Sequence, residues 1–327
     1  MRHAIPPALE PAALGAVGRV GQVCTLSGAT MGTGWQARYV APQGFSPEVA
    51  RAAIAARLED VIAQMSNWEA ESAISRFNRA PLGAWQSLPE DFATVLAAGL
   101  AVAAASGGAF DPALGRSVAR WGFGPEGDAG SRGPGGVEAV AAPWRAIECN
   151  GSRARRTADV ALDFSGIAKG FAVDAVSRDL AALGLDAHLV EIGGELRGRG
   201  VKPDGWPWWV DLETPPGLRL PPTRVALCGL SVATSGDYRR WRQADGVRIA
   251  HSIDPRAGAP VANAVASVTV VHEEAMLADA WATALLVSGV EAGLRLAQEH
   301  DLAVLMVRRE EGGARDYMSP AFAAMLE

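Results

Sequence analysis

Residues 161–200 read ALDFSGIAKGFAVDAVSRDLAALGLDAHLVEIGGELRGRG. Val160 to Phe164 is a short apolar run of the kind that forms a buried strand. Gly166 permits a tight turn after it, and Gly170 lets the following helix pack close to a neighbour. Val173, Val176, Leu180 and Leu183 recur at helical spacing. Gly184 ends that helix, and His188 to Ile192 reads as the next strand. The centre of the chain is therefore expected to be a β-α-β unit.

The same reading extends outward on both sides. Val23 to Tyr39 suits strands broken by glycines, and residues 1–20 read as irregular. Ser46-Pro47 is an N-cap with proline at the first helical position. Ile54, Leu58, Val61, Ile62 and Met65 then fall on one helical face, a stripe that is read as core packing. Residues 66–78 read as a turn and a short helix, and Pro89 to Ala105 as a helix stopped by Gly107-Gly108. Residues 124–136, GPEGDAGSRGPGG, read as a flexible surface loop or lid. Strands are expected in WPWWVDLE (206–213), from Val225 to Ala233, from Ser267 onward, and in LAVLMV (302–307). Helices are expected from Glu273 to Ser288 and from Val290 to His300. Strands and helices alternate irregularly, which favours a mixed α/β (α+β) architecture of mixed sheets flanked by helices.

Composition narrows the function. The chain has 327 residues, 49% hydrophobic and 20% charged, with a net charge of −6. That is globular, and an acidic chain without a basic block lacks the footprint of a nucleic-acid binder. Cys24, Cys149 and Cys228 are too far apart to suggest a metal knot or a disulfide framework. No run of about eighteen apolar residues suggests a transmembrane segment. The first twenty residues lack the pattern of a secretory signal, and GQVC around Cys24 does not look like a lipoprotein site. As written, the chain reads as cytoplasmic, with a periplasmic place open if the native start differs.

Four groups of residues could carry chemistry. Asp279 and Thr283 lie four apart on one helical face and offer two hard oxygens, which suits Mg²⁺. The same pair is also ordinary on helices, but its apolar flanks point to a buried carboxylate that needs a partner. Ser165 to Lys169 is a turn at a helix start, where N–H groups and a lysine can hold an anion or simply join strand to helix. In HSIDPRAG, His251 is either a general base or a polar loop residue. ATSGDYRRW, residues 233–241, reads as a ligand loop or a plain connection.

In order along the chain stand MGT (31–33), MSNWEAESAISRFN (65–78), GGAFDPALGRSVARWGFG (107–124), LDFSGIAKGFAVD (162–174), VEIGGELRGRG, ATSGDYRRW, HSIDPRAGAPV and MLADAWATALLVSG. This series closely resembles the ApbE family of FAD:protein FMN transferases over about residues 25–310. The resemblance implies an ApbE-like, T-fold-like architecture. The expected organisation is an irregular leader at 1–24, a transferase domain at 25–310 with room for two closely packed subdomains, and a tail at 311–327.

The resemblance also implies Mg²⁺-dependent transfer of FMN from FAD to a threonine or serine hydroxyl of a target flavoprotein, with AMP released. Asp279 and Thr283, joined by the backbone carbonyl of Gly166, would ligate the metal. Met31, Trp68, Ala109, Phe110, Asp111, Asp163, Lys169 and Ile253 would lie against FAD. His251 matches the family's proposed base, so His251 and Asp279 are the catalytic candidates. The rival readings are an FAD pyrophosphatase releasing FMN and AMP, and a non-catalytic FAD-binding protein. The chain departs from many members in carrying Trp68 where they have tyrosine. It also carries Ala282 where some have a further carboxylate, and shows no export signal.

Overall fold

The computed structural model describes residues 1–6, 21–125, 141–238, 241–244 and 247–326. Residues 7–20 of the expected leader, 126–136 of the expected lid, and Arg239 and Arg240 of ATSGDYRRW lie outside the described residues.

The chain begins with β1 (Arg2–Ala4), β2 (Gln22–Thr30) and β3 (Thr33–Ala41). Helices α1 (Pro47–Met65) and α2 (Ala73–Arg79), strand β4 (Gln86–Ser87), and helices α3 (Glu90–Ala105) and α4 (Gly115–Arg120) follow. Next come β5 (Ile147–Cys149), β6 (Arg153–Arg156), α5 (Ala168–Ala182), β7 (His188–Ile192) and β8 (Glu195–Arg199). Then β9 (Trp208–Asp211), β10 (Thr223–Leu227), β11 (Leu230–Gly236), β12 (Trp241–Ala244) and β13 (Val247–Ala250) are reached. The chain closes with β14 (Ile253–Asp254), β15 (Ala259–Pro260), β16 (Val265–His272), α6 (Ala275–Glu299), β17 (Ala303–Glu310), β18 (Gly313–Met318) and α7 (Pro320–Ala323).

An eight-stranded sheet in the order β18-β17-β16-β11-β8-β7-β3-β2 organises these elements. Every neighbouring pair in it is antiparallel. The β2–β3 hairpin closes through Met31 (φ 48°) and Gly32 (φ 71°). Two left-handed residues make the turn whose twist matches that of the strands it joins. Side chains alternate across the sheet. On one face Val190, Ile192, Val268, Val304 and Met306 join the larger core, with α5 and α6 against the sheet, α1 against α5 and α3 against α6. On the other, Leu189, Val232, Val271 and Leu305 meet Trp208, Val225, Phe322 and Met325.

Four expectations are corrected. The leader is not irregular throughout: Arg2–Ala4 pairs in parallel with β10, and β2 begins at Gln22. The tail at 311–327 is part of the fold, because β18 extends the large sheet and Phe322 is fully buried. Val160 to Phe164 is extended but joins no ladder beyond a bridge from Leu114 to Ala161. Its backbone bonds go to scattered partners: the Asn78 side chain holds both the N–H (2.7 Å) and the carbonyl (2.9 Å) of Leu162, the Asp163 N–H donates to the Pro112 carbonyl (2.8 Å) and the Ala161 carbonyl accepts the Gly115 N–H (2.8 Å). β7 pairs only antiparallel, with β3 and β8, so no parallel β-α-β unit forms. Finally, Val225 to Ala233 divides at Cys228-Gly229 into β10 and β11, which belong to different sheets.

Candidate functional site

The α5–α6 contact gathers the proposed cation donors. Asp279 is 3% exposed, and its Oδ2 accepts the N–H of Gly170 in the first turn of α5 at 3.1 Å. Burial pushes its carboxyl above the usual carboxylate range, while the charge of Lys169 and the Gly170 N–H act the other way. Thr283 stands one turn along on the same face, and its Oγ1 lies 3.1 Å from Ser235 Oγ on β11. The turn before α5 reaches the same point. A Cβ on Gly166 would lie 3.0 Å from Thr283 Oγ1 and 3.3 Å from the Phe110 ring. Glycine lets the backbone approach both.

Carboxylate, hydroxyl and carbonyl oxygens form a hard donor set, which fits Mg²⁺ with water completing the shell. Among the described residues no group of three or more His, Cys, Asp or Glu side chains gathers as a metal site. A cation held here would therefore rest on one carboxylate and two uncharged oxygens.

Lys169 forms an ion pair with Glu195 on β8, a partner that the sequence reading did not name. A Cβ on Gly193 would meet Thr33 Cγ2 at 2.9 Å and Lys169 Cδ at 3.5 Å. The Met31-Gly32 turn, the Gly193-Gly194 turn and Lys169 are thus neighbours. Asp163 turns inward on the Ser165 N–H at 2.8 Å and also accepts from the Ser165 hydroxyl. It shapes the Gly166 turn at least as much as it could contact a ligand.

Ala109 and Phe110 are buried. Asp111 accepts the N–H groups of Ala113 (2.8 Å) and Trp144 (3.1 Å), and burial raises its carboxyl to about 6 against those two bonds. Trp68 is 60% exposed on the turn after α1, so an aromatic face stands open to a ligand. Its loop is tied to the Gly166 side by Asn78, which bonds both Asn67 (3.3 Å) and Leu162 (2.9 Å).

His251 and Ile253 belong to a separate cluster. Ile253 is buried in the β14–β15 hairpin, and the His251 ring meets Phe123 edge-on at 6.4 Å. Trp121 Nε1 donates to the Gly258 carbonyl at 2.9 Å, fixing the hairpin to the end of α4. The hairpin reaches α6 through Arg256, 3.4 Å from the Val287 carbonyl, one turn beyond Thr283. ATSGDYRRW is strand as far as Gly236 rather than loop, which is why Ser235 can face Thr283. The sequence signalled that run without singling out Ser235. Nothing in the local pattern signalled Trp144 as a partner of Asp111.

The model of the ApbE family matches residues 31–306. The Vibrio cholerae protein named FAD:protein FMN transferase is 34% identical over 92% of this chain and 92% of its own length. The Haemophilus influenzae protein of the same name is 35% identical over 94% of this chain and 92% of its own. The apo crystal structure of the Pseudomonas stutzeri flavinyl transferase ApbE superposes with a TM-score of 0.84 at 36% identity, covering 93% of this chain and 97% of that one. Family model, relatives and solved fold agree, and the chain belongs to the ApbE family.

Proposed function

We propose that this chain is a flavin transferase that moves FMN from FAD to a threonine or serine hydroxyl of a target flavoprotein, with Mg²⁺ bound at Asp279, Thr283 and the Gly166 carbonyl. The observation that carries this reading is the meeting of the Gly166 turn, Thr283 and Phe110 beside a buried carboxylate. It sets hard oxygens next to an aromatic surface, as a ligand with both a pyrophosphate and flat rings requires. The names of the relatives point the same way.

Mg²⁺ bound there would neutralise charge on the pyrophosphate as the phosphoanhydride breaks. The N-terminus of α5 and Lys169 favour an anion at the same place. The open face of Trp68 offers a stacking surface. In the transfer, the acceptor hydroxyl oxygen forms a bond to the phosphorus of the FMN half. The bond from that phosphorus to the bridging oxygen breaks, and AMP leaves with that oxygen. The hydroxyl proton passes to the His251 ring, which is suited to a weak nucleophile near neutral pH.

The test is incubation with FAD, Mg²⁺ and a candidate flavoprotein, followed by intact mass and AMP measurement. The acceptor is expected to gain one FMN unit per AMP, and EDTA to stop both. AMP without a modified acceptor would assign the pyrophosphatase reaction instead. Bound FAD without AMP would assign a carrier.

A further inference from the structure

Helices α5 and α6 hold each other by their N-termini. Asp279 of α6 accepts the Gly170 N–H of α5, as described above. In return Asp174 of α5 accepts the N–H of Ala275 through Oδ1 (3.1 Å) and that of Met276 through Oδ2 (2.9 Å), the first two residues of α6. Glu274, at the N-cap of α6, makes no side-chain cap of its own. The first N–H groups of a helix have no partner within it, so their direction is set by whatever caps them. Here the cap comes from another helix.

Arg197 on β8 fastens that cap. Its Nη1 lies 3.0 Å from Asp174 Oδ1 and 3.1 Å from Ser231 Oγ, and it also bonds the Glu273 carbonyl just before α6. Asp174 is buried, and a buried carboxylate is retained only where donors fill its oxygens. Gly170 leaves no slack in the joint, because a Cβ there would drive into the Ala275 carbonyl oxygen.

We propose that Asp174, clamped by Arg197, is a positioning residue for the cation donors: it fixes the height and rotation of the first turns of α6, and with them Asp279 and Thr283. The proposal rests on the reading that these two residues take Mg²⁺. Mg²⁺ demands near-ideal octahedral geometry, so a small rotation of α6 changes its affinity. Outer-shell supports of metal ligands typically alter metal affinity by about 10- to 100-fold.

The test uses the full chain with FAD present, titrating Mg²⁺ and following both the rise in melting temperature and the rate of AMP release. An amide at position 174 would turn an NH₂ toward one of its three donors, so Asp174→Asn cannot keep every bond. The Mg²⁺ concentration for half the response should rise about 10-fold. Val225→Ala, in the core on the far side of the sheet, should lower the melting temperature and leave that midpoint in place. An Asp174→Asn midpoint within about twofold of the unsubstituted protein, well short of the 10-fold expected of an outer-shell support, would overturn the proposal even if the melting temperature falls.

Should Asp174→Asn fail to fold, Arg197→Gln keeps the carboxylate cap and removes its clamp. Its midpoint should rise about threefold, less than full loss of an outer-shell support, and an unchanged midpoint there overturns the proposal equally. No Mg²⁺ response in the unsubstituted protein overturns the cation reading and the positioning role together. A response that ignores both substitutions overturns only the positioning role.

Discussion

Where β9 and β10 cover the large sheet, Leu189, Val232, Val271 and Leu305 pack on Trp208, Val225 and Phe322. Where the helices cover it, β8 turns Glu195 and Arg197 toward α5, and Lys169 and Asp174 meet them. Buried Asp111 and Asp279 lie on that side as well. Taking a carboxylate out of water costs several kcal/mol unless partners compensate. An apolar face contributes to folding without such a cost. One sheet thus carries a face that chiefly stabilises and a face that gives up stability to hold charge in place, the usual relation between core and active site.

The largest expected effect breaks the charged face directly. Asp279→Ala removes the one carboxylate of the proposed cation site and should slow FMN transfer about 10³-fold or more, since a catalytic metal contributes several kcal/mol. Its melting temperature should change far less than in a core truncation, because relief of the buried carboxylate offsets loss of the Gly170 bond. Full turnover by this variant at low Mg²⁺ would remove Asp279 from the site.

Phe322→Ala probes the other face. Truncating this fully buried ring should cost about 3–5 kcal/mol in denaturant unfolding, with turnover per folded molecule preserved. A matching collapse of turnover would show that the two faces are not separable in function.

His251 belongs to neither core. His251→Ala should still bind FAD and Mg²⁺ yet transfer FMN at least about 10²-fold more slowly in a single turnover. Normal single-turnover chemistry would mean that the proton goes elsewhere.

The smallest effect is a pH dependence at Asp111, whose carboxyl is raised from 3.8 to about 6 by burial. A raised folded-state pKa means that the folded protein holds the proton more tightly than the unfolded chain. The associated stability is complete below pH 3.8 and is lost as pH rises through about 6. Relative to Asp111→Asn, the unsubstituted protein should therefore lose about 2 kcal/mol between pH 4 and pH 7. A stability difference that stays flat across this range would show that Asp111 does not titrate there.

The helix-covered face was partly legible in the sequence. The stripe from Ile54 to Met65, the stop at Gly107-Gly108 and the break near Gly289 follow from local periodicity and backbone freedom. So does the shared face of Asp279 and Thr283. The link of the Gly166 turn to Thr283 came only with the family resemblance, and the structure sets the two side by side without placing the Gly166 carbonyl. Strand order was not legible, because pairing β7 with β3, or β8 with β11, joins segments far apart in the chain. Val160 to Phe164 misled because a buried segment has the same apolar pattern whether its partner is a strand or, as here, the Asn78 side chain and the loop around Pro112. Ser235, Glu195 and Asp174 were missed for a related reason: each matters through a partner on another element.

The bend at Gly289 has a consequence for how far α6 reaches. As a straight rod its 25 residues would extend about 37 Å, enough to cross hydrocarbon about 30 Å thick, and they are apolar enough to do so. Gly289, at φ 78° and ψ 173°, breaks the rod. Residues 275–288 then extend only about 21 Å, and most of the apolar stretch is already enclosed by the sheet and α5. Length and hydropathy in this stretch record a bent helix whose oily surface mostly faces its own protein.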